Sequence, residues 1–342
     1  MHPRESVEYL CVDNFLTTLS AARTLKSGFE LGVIDSIQSS PMQLENLKAQ
    51  IDCPIKSLQL LLRLLMANNV LVETPEGLVL SDAFDQAMRF RDLLESKLDF
   101  ALAVAPDFSD LFTVLLKDTQ EFLNNAKLFK LFDYEKCLHA TESNYEATRR
   151  WMRFTTALTR YEAPICLSYH DFSSYRRMLD IGGNSGEFAH QICCRHPDLT
   201  ATICDLPVVC DIGQQHLAGT EQAERVDFFR ANALNDPLPD GYDVITFKSM
   251  LHDWPDEQAI TFLKKAHESV KQGGSLLIYE RGPLDFIDSG LPFSLLPILL
   301  FFPFYRSPEF YQQQFQHLGM VNIEIHEFFL ESPFFVVSGT KP

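Results

Sequence analysis

The stretch Met178-Leu179-Asp180-Ile181-Gly182-Gly183-Asn184-Ser185-Gly186-Glu187 constrains this chain more than any other. Three apolar residues surround one acid, Asp180, and a turn of small residues follows. Phe188-Ala189-His190-Gln191-Ile192 then continues at helical spacing. A strand, a tight glycine loop and a helix open a doubly wound α/β sheet, in which ligands sit beyond the carboxyl ends of the strands. Glycine is needed where backbone approaches a ligand closely or takes positive φ. The spacing is not G-x-G-x-x-G, whose later glycines would fall at Asn184 and Glu187, and no G-x-x-x-x-G-K-[ST] loop occurs. The loop is therefore expected to hold something other than a pyrophosphate.

Downstream, apolar strands alternate with helices. Residues 201–204 read as a strand ending at Asp205, 226–230 as one ending near Asn232, and 243–247 as one ending at Lys248. A helix over about 256–271 leads through Gly273-Gly274 to a strand at 275–279, which ends at Glu280. Segments 321–328 and 334–338 have no crossover helix between them, so an antiparallel hairpin is expected at the sheet edge. The fold class is a Rossmann-like doubly wound sheet with that C-terminal hairpin. Asp205 can accept from both hydroxyls of a ribose, or cap the helix opened by Leu206-Pro207; ribose binding is the favoured reading. His252 leaves a strand on the cavity side and has the side chain whose pKa suits a general base. Asp253 adjoins it, but sequence neighbours diverge, which makes Glu280 the better orienting partner.

The first hundred residues are mostly helical. Phe15, Leu16, Leu19, Ala22, Leu25 and Phe29 recur at helical spacing, Ser40-Pro41 is expected to begin a helix, and Ile55 to Asn69 forms a third. A hairpin over 70–80 follows, completing a winged helix. Its third helix is apolar almost all round, so burial in a dimerisation module is expected rather than insertion in a DNA groove. The expected division is a winged-helix domain over 1–105, a helical linker contributing to the substrate pocket over 106–170, and a catalytic domain over 171–342. In the linker, Trp151 and Met152 are core or one wall of a pocket; the apolar run from Pro292 to Phe304 has the same two readings.

A net charge of −17 disfavours nucleic acid and anionic membranes as partners. The eight cysteines form no C-x-x-C pair, so no metal is expected and reduced thiols in a cytoplasmic protein are the natural reading. Prolines 292, 297 and 303 break the longest apolar stretch, which is too short to span a bilayer, and no signal-peptide pattern is seen.

With these motifs in place, the chain resembles class I S-adenosylmethionine-dependent methyltransferases, of the type of plant caffeate O-methyltransferases and bacterial small-molecule O-methyltransferases. The resemblance rests on Leu179 to Gly186, on Asp205-Leu206-Pro207, and on Lys248 with His252-Asp253-Trp254-Pro255-Asp256-Glu257. It implies S-adenosylmethionine as methyl donor, a homodimer, and a small apolar or aromatic hydroxyl compound of secondary metabolism as acceptor. It further implies that Asp180, Gly182, Gly183, Gly186, Asp205, Leu206, Asn232, Ala233, Lys248 and Met250 line the donor. His252, Glu280 and Asp253 would act in catalysis, and Trp151, Met152, Phe301 and Tyr305 would contact the acceptor. Three positions depart from the family pattern: Asn184 replaces a glycine, Asn232 an acid, and Tyr305 a second catalytic glutamate. Carbon or nitrogen methylation, or a non-methylating use of the same donor, is the alternative reading. A regulator with a small-molecule sensing domain is the second alternative.

Overall fold

A computed structural model describes residues 7–284 and 291–342. The chain forms two compact units, one of residues 7–128 with 291–300, the other of 129–284 with 301–342.

The first unit carries helices α1 (Leu19–Glu30), α2 (Val33–Ser39), α3 (Leu44–Gln50) and α4 (Ile55–Ala67), then the antiparallel pair β1 (Leu71–Thr74) and β2 (Gly77–Leu80). Thr18 accepts from Ala21 N–H to cap α1, and Gly32, at φ 73°, turns the chain into α2. Position 32 is left-handed, which glycine adopts without strain. The helix expected at Ser40-Pro41 starts later, at Leu44, because Met42 bridges Leu78 on the hairpin. Helices α5 (Asp82–Met88), α6 (Arg91–Lys117) and α7 (Thr119–Asn125) follow, so residues 105 and 106 lie inside one continuous helix. Residues 293 and 294 return to this unit, where their N–H groups donate to Thr17 and Leu16 carbonyls. Helix α4 buries Leu58, Leu61, Leu62 and Leu65 but exposes Leu60 (59%), Leu64 (42%) and Ile55 (41%). An apolar residue at nearly every position exceeds what one helix can turn towards its own core.

A short α8 (Lys127–Leu131) leads to the second unit, which opens with the long α9 (Glu142–Tyr169), capped by Thr141. The sheet strands are β3 (Arg177–Ile181), β4 (Thr200–Asp205), β5 (Val226–Arg230), β6 (Tyr242–Lys248), β7 (Val270–Arg281), β8 (Val321–Phe329) and β9 (Pro333–Thr340). Helices α10 (Glu187–Arg195), α11 (Pro207–Leu217), α12 (Asp256–Ser269), α13 (Leu296–Leu300) and α14 (Pro308–His317) lie between them in sequence. The order across the sheet is β5-β4-β3-β6-β7-β9-β8; β3 to β7 pair in parallel, and β9 is antiparallel to both β7 and β8. Leu179, Ile181, Ile245, Phe247, Leu276 and Ile278 are fully enclosed, as expected for parallel strands covered on both faces. Each such side chain contributes about 2 kcal/mol of burial. Gly273 and Gly274, expected before the fifth strand of this sheet, lie within β7, where the pairing with β6 shifts register between Tyr242 and Val244. Strand order reverses between β3 and β6, and the crevice at their carboxyl ends is where such a sheet accepts a ligand.

Candidate active site

The glycine loop closes the end of β3. Gly182 and Gly186 hold φ 68° and 76°, and Asn184, at φ 55°, is left-handed as well. Asparagine tolerates that region better than any side chain with a branched or bulky Cβ. Its Oδ1 accepts from Ser185 N–H (2.7 Å) and its Nδ2 donates to Thr155 Oγ1 on α9 (3.1 Å), so the replaced glycine also gains two hydrogen bonds. A Cβ on Gly183 would stand 2.7 Å from Asp180 Oδ2 and 2.9 Å from Ile203 Cγ2; one on Gly182 would meet Met250 Cγ at 2.5 Å. Asp180 is wholly enclosed. Its Oδ1 accepts from Thr246 Oγ1 (2.6 Å), whereas Oδ2 has no hydrogen-bond partner among the described residues. Burial pushes this carboxyl up to about 7.

Asp205, at the end of β4, accepts from Asn184 N–H through Oδ2 (2.8 Å) and from Leu206 N–H through Oδ1 (2.7 Å). The residue before α11 is Leu206, with no side-chain cap, so the capping alternative is not how the carboxylate is used. Each oxygen keeps a second lone pair, the acceptor set that a pair of ribose hydroxyls requires. Burial pushes Asp205 up to about 6 against the pull of the two amides. Beyond β5, Asn232 Oδ1 accepts from Leu234 N–H (3.1 Å) in a local turn, and Ala233 belongs to the core cluster around β3 and β6. An orphaned acid oxygen, a ribose-type acceptor and a glycine-rich loop fit a ligand carrying both an ammonium and a nucleoside.

Beyond β6, Ser249 turns the chain at φ 50°, and its N–H donates to Tyr279 O (2.8 Å). Residues 251–253 form one 3-10 turn. Glu280 Oε1 accepts from both Met250 N–H and Leu251 N–H (2.8 Å each), and its Oε2 lies 2.7 Å from His252 Nδ1. A carboxylate there requires the hydrogen on Nδ1, which leaves the Nε2 lone pair open. Asp253 Oδ1 stands 3.5 Å from Nε2, and Asp253 Oδ2 accepts from Tyr134 Oη (2.7 Å). Burial alone would lower the His252 pKa, but the Glu280 and Asp253 charges outweigh it and the net direction is up. Glu280 moves the opposite way: burial opposes ionisation, and His252 with the two amides more than offsets it.

The Tyr305 ring is 5.4 Å from the imidazole and the Phe301 ring 5.8 Å, edge-on. Phe132 packs against both Phe301 and Trp151, and Tyr134 stacks on Trp254, so aromatic rings wall the space beside His252. Trp151 and Met152 also pack with Val208, Val209 and Leu206 at the start of α11.

Sequence reasoning missed a buried ionic chain. Lys248 Nζ bonds Glu162 Oε2 on α9 and reaches Thr159 Oγ1 (3.1 Å). Arg281 Nη2 donates to Glu162 Oε1 (2.6 Å) and Glu331 Oε1 (2.8 Å). Burial would raise Glu162, but Arg281 and Lys248 pull it down to about 2. Glu162 lies 86 and 119 residues upstream of the two cations and Glu331 50 residues downstream of Arg281, with no motif to mark them. Among the described residues no group of His, Cys, Asp and Glu is placed to hold a metal, and no helix is long and apolar enough to cross a membrane.

Residues 109–284 match the model of the O-methyltransferase domain family, and residues 14–85 that of the O-methyltransferase dimerisation domain. A 3-hydroxy-5-methyl-1-naphthoate 3-O-methyltransferase from Streptomyces sahachiroi is 34% identical over 34% of this chain and 35% of its own length. The N,N-dimethyltransferase OxyT from Streptomyces rimosus is 30% identical over 40% of this chain and 39% of its own. The match thus spans well under half the length of these curated relatives. Among solved structures, PigF with SAH superposes with a TM-score of 0.73, at 23% identity over 94% of this chain and 96% of that one. At that identity the likeness speaks for the fold.

Proposed function

Since the chain belongs to the O-methyltransferase family, we propose that it moves a methyl group from S-adenosylmethionine to a hydroxyl of a small, largely apolar or aromatic molecule, with His252 as the base. The observation that carries this reading is the 2.7 Å Glu280–His252 pair, set beside the glycine loop and an aromatic wall. S-adenosylmethionine, when bound, supplies a sulfonium methyl open to in-line displacement. Asp180 Oδ2 accepts from an ammonium at the methionine end, and Asp205 holds the ribose. Gly182, Gly183 and Gly186 let the backbone approach, with Leu206, Asn232, Ala233, Lys248 and Met250 around the donor. His252 Nε2 takes the acceptor's hydroxyl proton, and Glu280 stabilises the imidazolium as it forms. Phe301, Tyr305, Trp151 and Met152 offer an apolar surface that excludes water from the transfer.

The dimerisation-domain match and the bare leucines of α4 support a homodimer. Tyr305 favours a second reading, transfer to nitrogen or carbon, since it puts a phenol where the family resemblance implies a carboxylate. Two measurements test the proposal. Calorimetry should show S-adenosylmethionine binding; no heat at millimolar donor removes the cofactor. With a panel of hydroxyaromatics and methyl-labelled donor, His252→Ala should lower turnover by about 10²–10⁴-fold. An unchanged rate excludes His252 as the base.

A further inference from the structure

His252 carries a carboxylate on each side, and the two are held differently. Glu280 is bonded to Nδ1. Asp253 stands off, with Oδ1 3.5 Å from Nε2, the nitrogen that must stay open to receive a proton. Its other oxygen accepts the Tyr134 hydroxyl at 2.7 Å. That phenol comes from a 3-10 turn (Tyr134–Leu138) 119 residues away in sequence. Its ring is fixed from two sides, stacked on Trp254 (5.9 Å, 23°) and edge-on to Trp151 (5.9 Å, 76°).

A buried carboxylate takes whatever donor is in reach. For Asp253 the two donors are the Tyr134 hydroxyl and a protonated His252 Nε2. We propose that Tyr134 is a positioning residue that holds Asp253 off His252 Nε2, close enough to stabilise the imidazolium and too far to occupy the lone pair. This rests on His252 being the base and deepens that reading. Burial and the Asp253 charge drive the phenol pKa well above its ordinary value, so the hydroxyl keeps its proton and remains the donor. The other groups facing His252 are Glu280, the Arg281 charge, which opposes protonation, and the Tyr305 ring at 5.4 Å. None of them bonds Asp253 among the described residues.

The test reads the imidazole itself, without donor or acceptor, so its outcome is separate from whether the chain methylates anything. In protein labelled with ¹⁵N-histidine, the His252 resonances are followed against pH and assigned by their loss in His252→Gln. Asp253→Asn removes a nearby charge and should lower the His252 pKa by about one unit. Tyr134→Phe keeps the ring and its stacking but frees Asp253 to close on Nε2, and should raise the pKa by about half a unit. In the double variant the Tyr134→Phe effect should vanish, because it acts only through Asp253. A fall or no change in Tyr134→Phe overturns the proposal, and so does a rise that persists beside Asp253→Asn. An unchanged pKa in Asp253→Asn alone also overturns it.

Discussion

Glu162→Gln keeps the shape of the side chain and deletes the charge that joins Lys248 to Arg281. Arg281 retains Glu331, but Lys248 keeps neutral contacts, with the Thr159 hydroxyl and the Tyr279 ring, and loses the carboxylate paired with its buried ammonium. The fall of the Glu162 pKa from 4.5 to about 2 corresponds to about 3 kcal/mol of pairing that favours the folded state. The sign follows from a lowered folded-state pKa. At pH 7 both folded and unfolded chains carry the ionised glutamate, and the full contribution is present. Below pH 4.5 the unfolded chain takes up a proton that the folded chain refuses, and the contribution drains away down to about pH 2. Urea unfolding at pH 7 should therefore place Glu162→Gln about 3 kcal/mol below the parent in the transition that melts the second unit. The gap should narrow as the measurement moves from pH 5 to pH 3. Equal stability at pH 7, or a gap that ignores pH over that range, refutes the assignment of Glu162 as the charge that holds this chain of ions together.

Gly183→Ala puts a methyl 2.7 Å from Asp180 Oδ2 and 2.9 Å from Ile203, both fully buried, and should cost about 1–3 kcal/mol of stability; calorimetry should show S-adenosylmethionine affinity falling with it, and wild-type stability and affinity would speak against the tight cradle. Burial holds Asp180 near 7 and Asp205 near 6, so binding that needs both ionised should be fullest above pH 7, weaken as pH falls through those values, and release protons at pH 6. Titrations in buffers of different ionisation enthalpy read that release, and a flat affinity between pH 5 and 8 contradicts it. Asn184→Ala keeps the left-handed backbone without the two side-chain hydrogen bonds and should lose about 1–2 kcal/mol, whereas Asn184→Gly should lose less; the opposite ranking in thermal melts would rule out strain as the cause.

Strand ends were legible because apolar runs stop at polar residues, and the C-terminal hairpin because no helix separates its two runs. Strand 226–230 was readable to the residue for that reason. The glycine loop was legible in outline, but the work of Asn184 was not: its partners Thr155 and Ser185 show only once α9 lies over the loop. Helix α2 and the bridge from Met42 to Leu78 were missed because seven-residue helices and single bridges leave no period to count. Residues 1–6 and 285–290 of the expected domains lie outside the described residues. The Glu162, Arg281 and Glu331 chain and the Tyr134–Asp253 bond were invisible for one shared reason. Each pairs groups brought together by topology, and Glu162, Glu331 and Tyr134 stand in no recognisable pattern.

The backbone bonds from Phe293 and Ser294 to Thr17 and Leu16 make the first unit discontinuous: ten residues from near the end of the chain, 291–300, complete a body that otherwise ends at 128. A gene segment encoding 7–128 alone omits the residues that occupy those carbonyls, and one encoding 129–342 carries them with no place to dock. Neither segment alone therefore carries the whole of the first unit. An exchange of the N-terminal half between relatives preserves this joint only if the short return segment travels with it, and that segment runs straight into Phe301 and Tyr305.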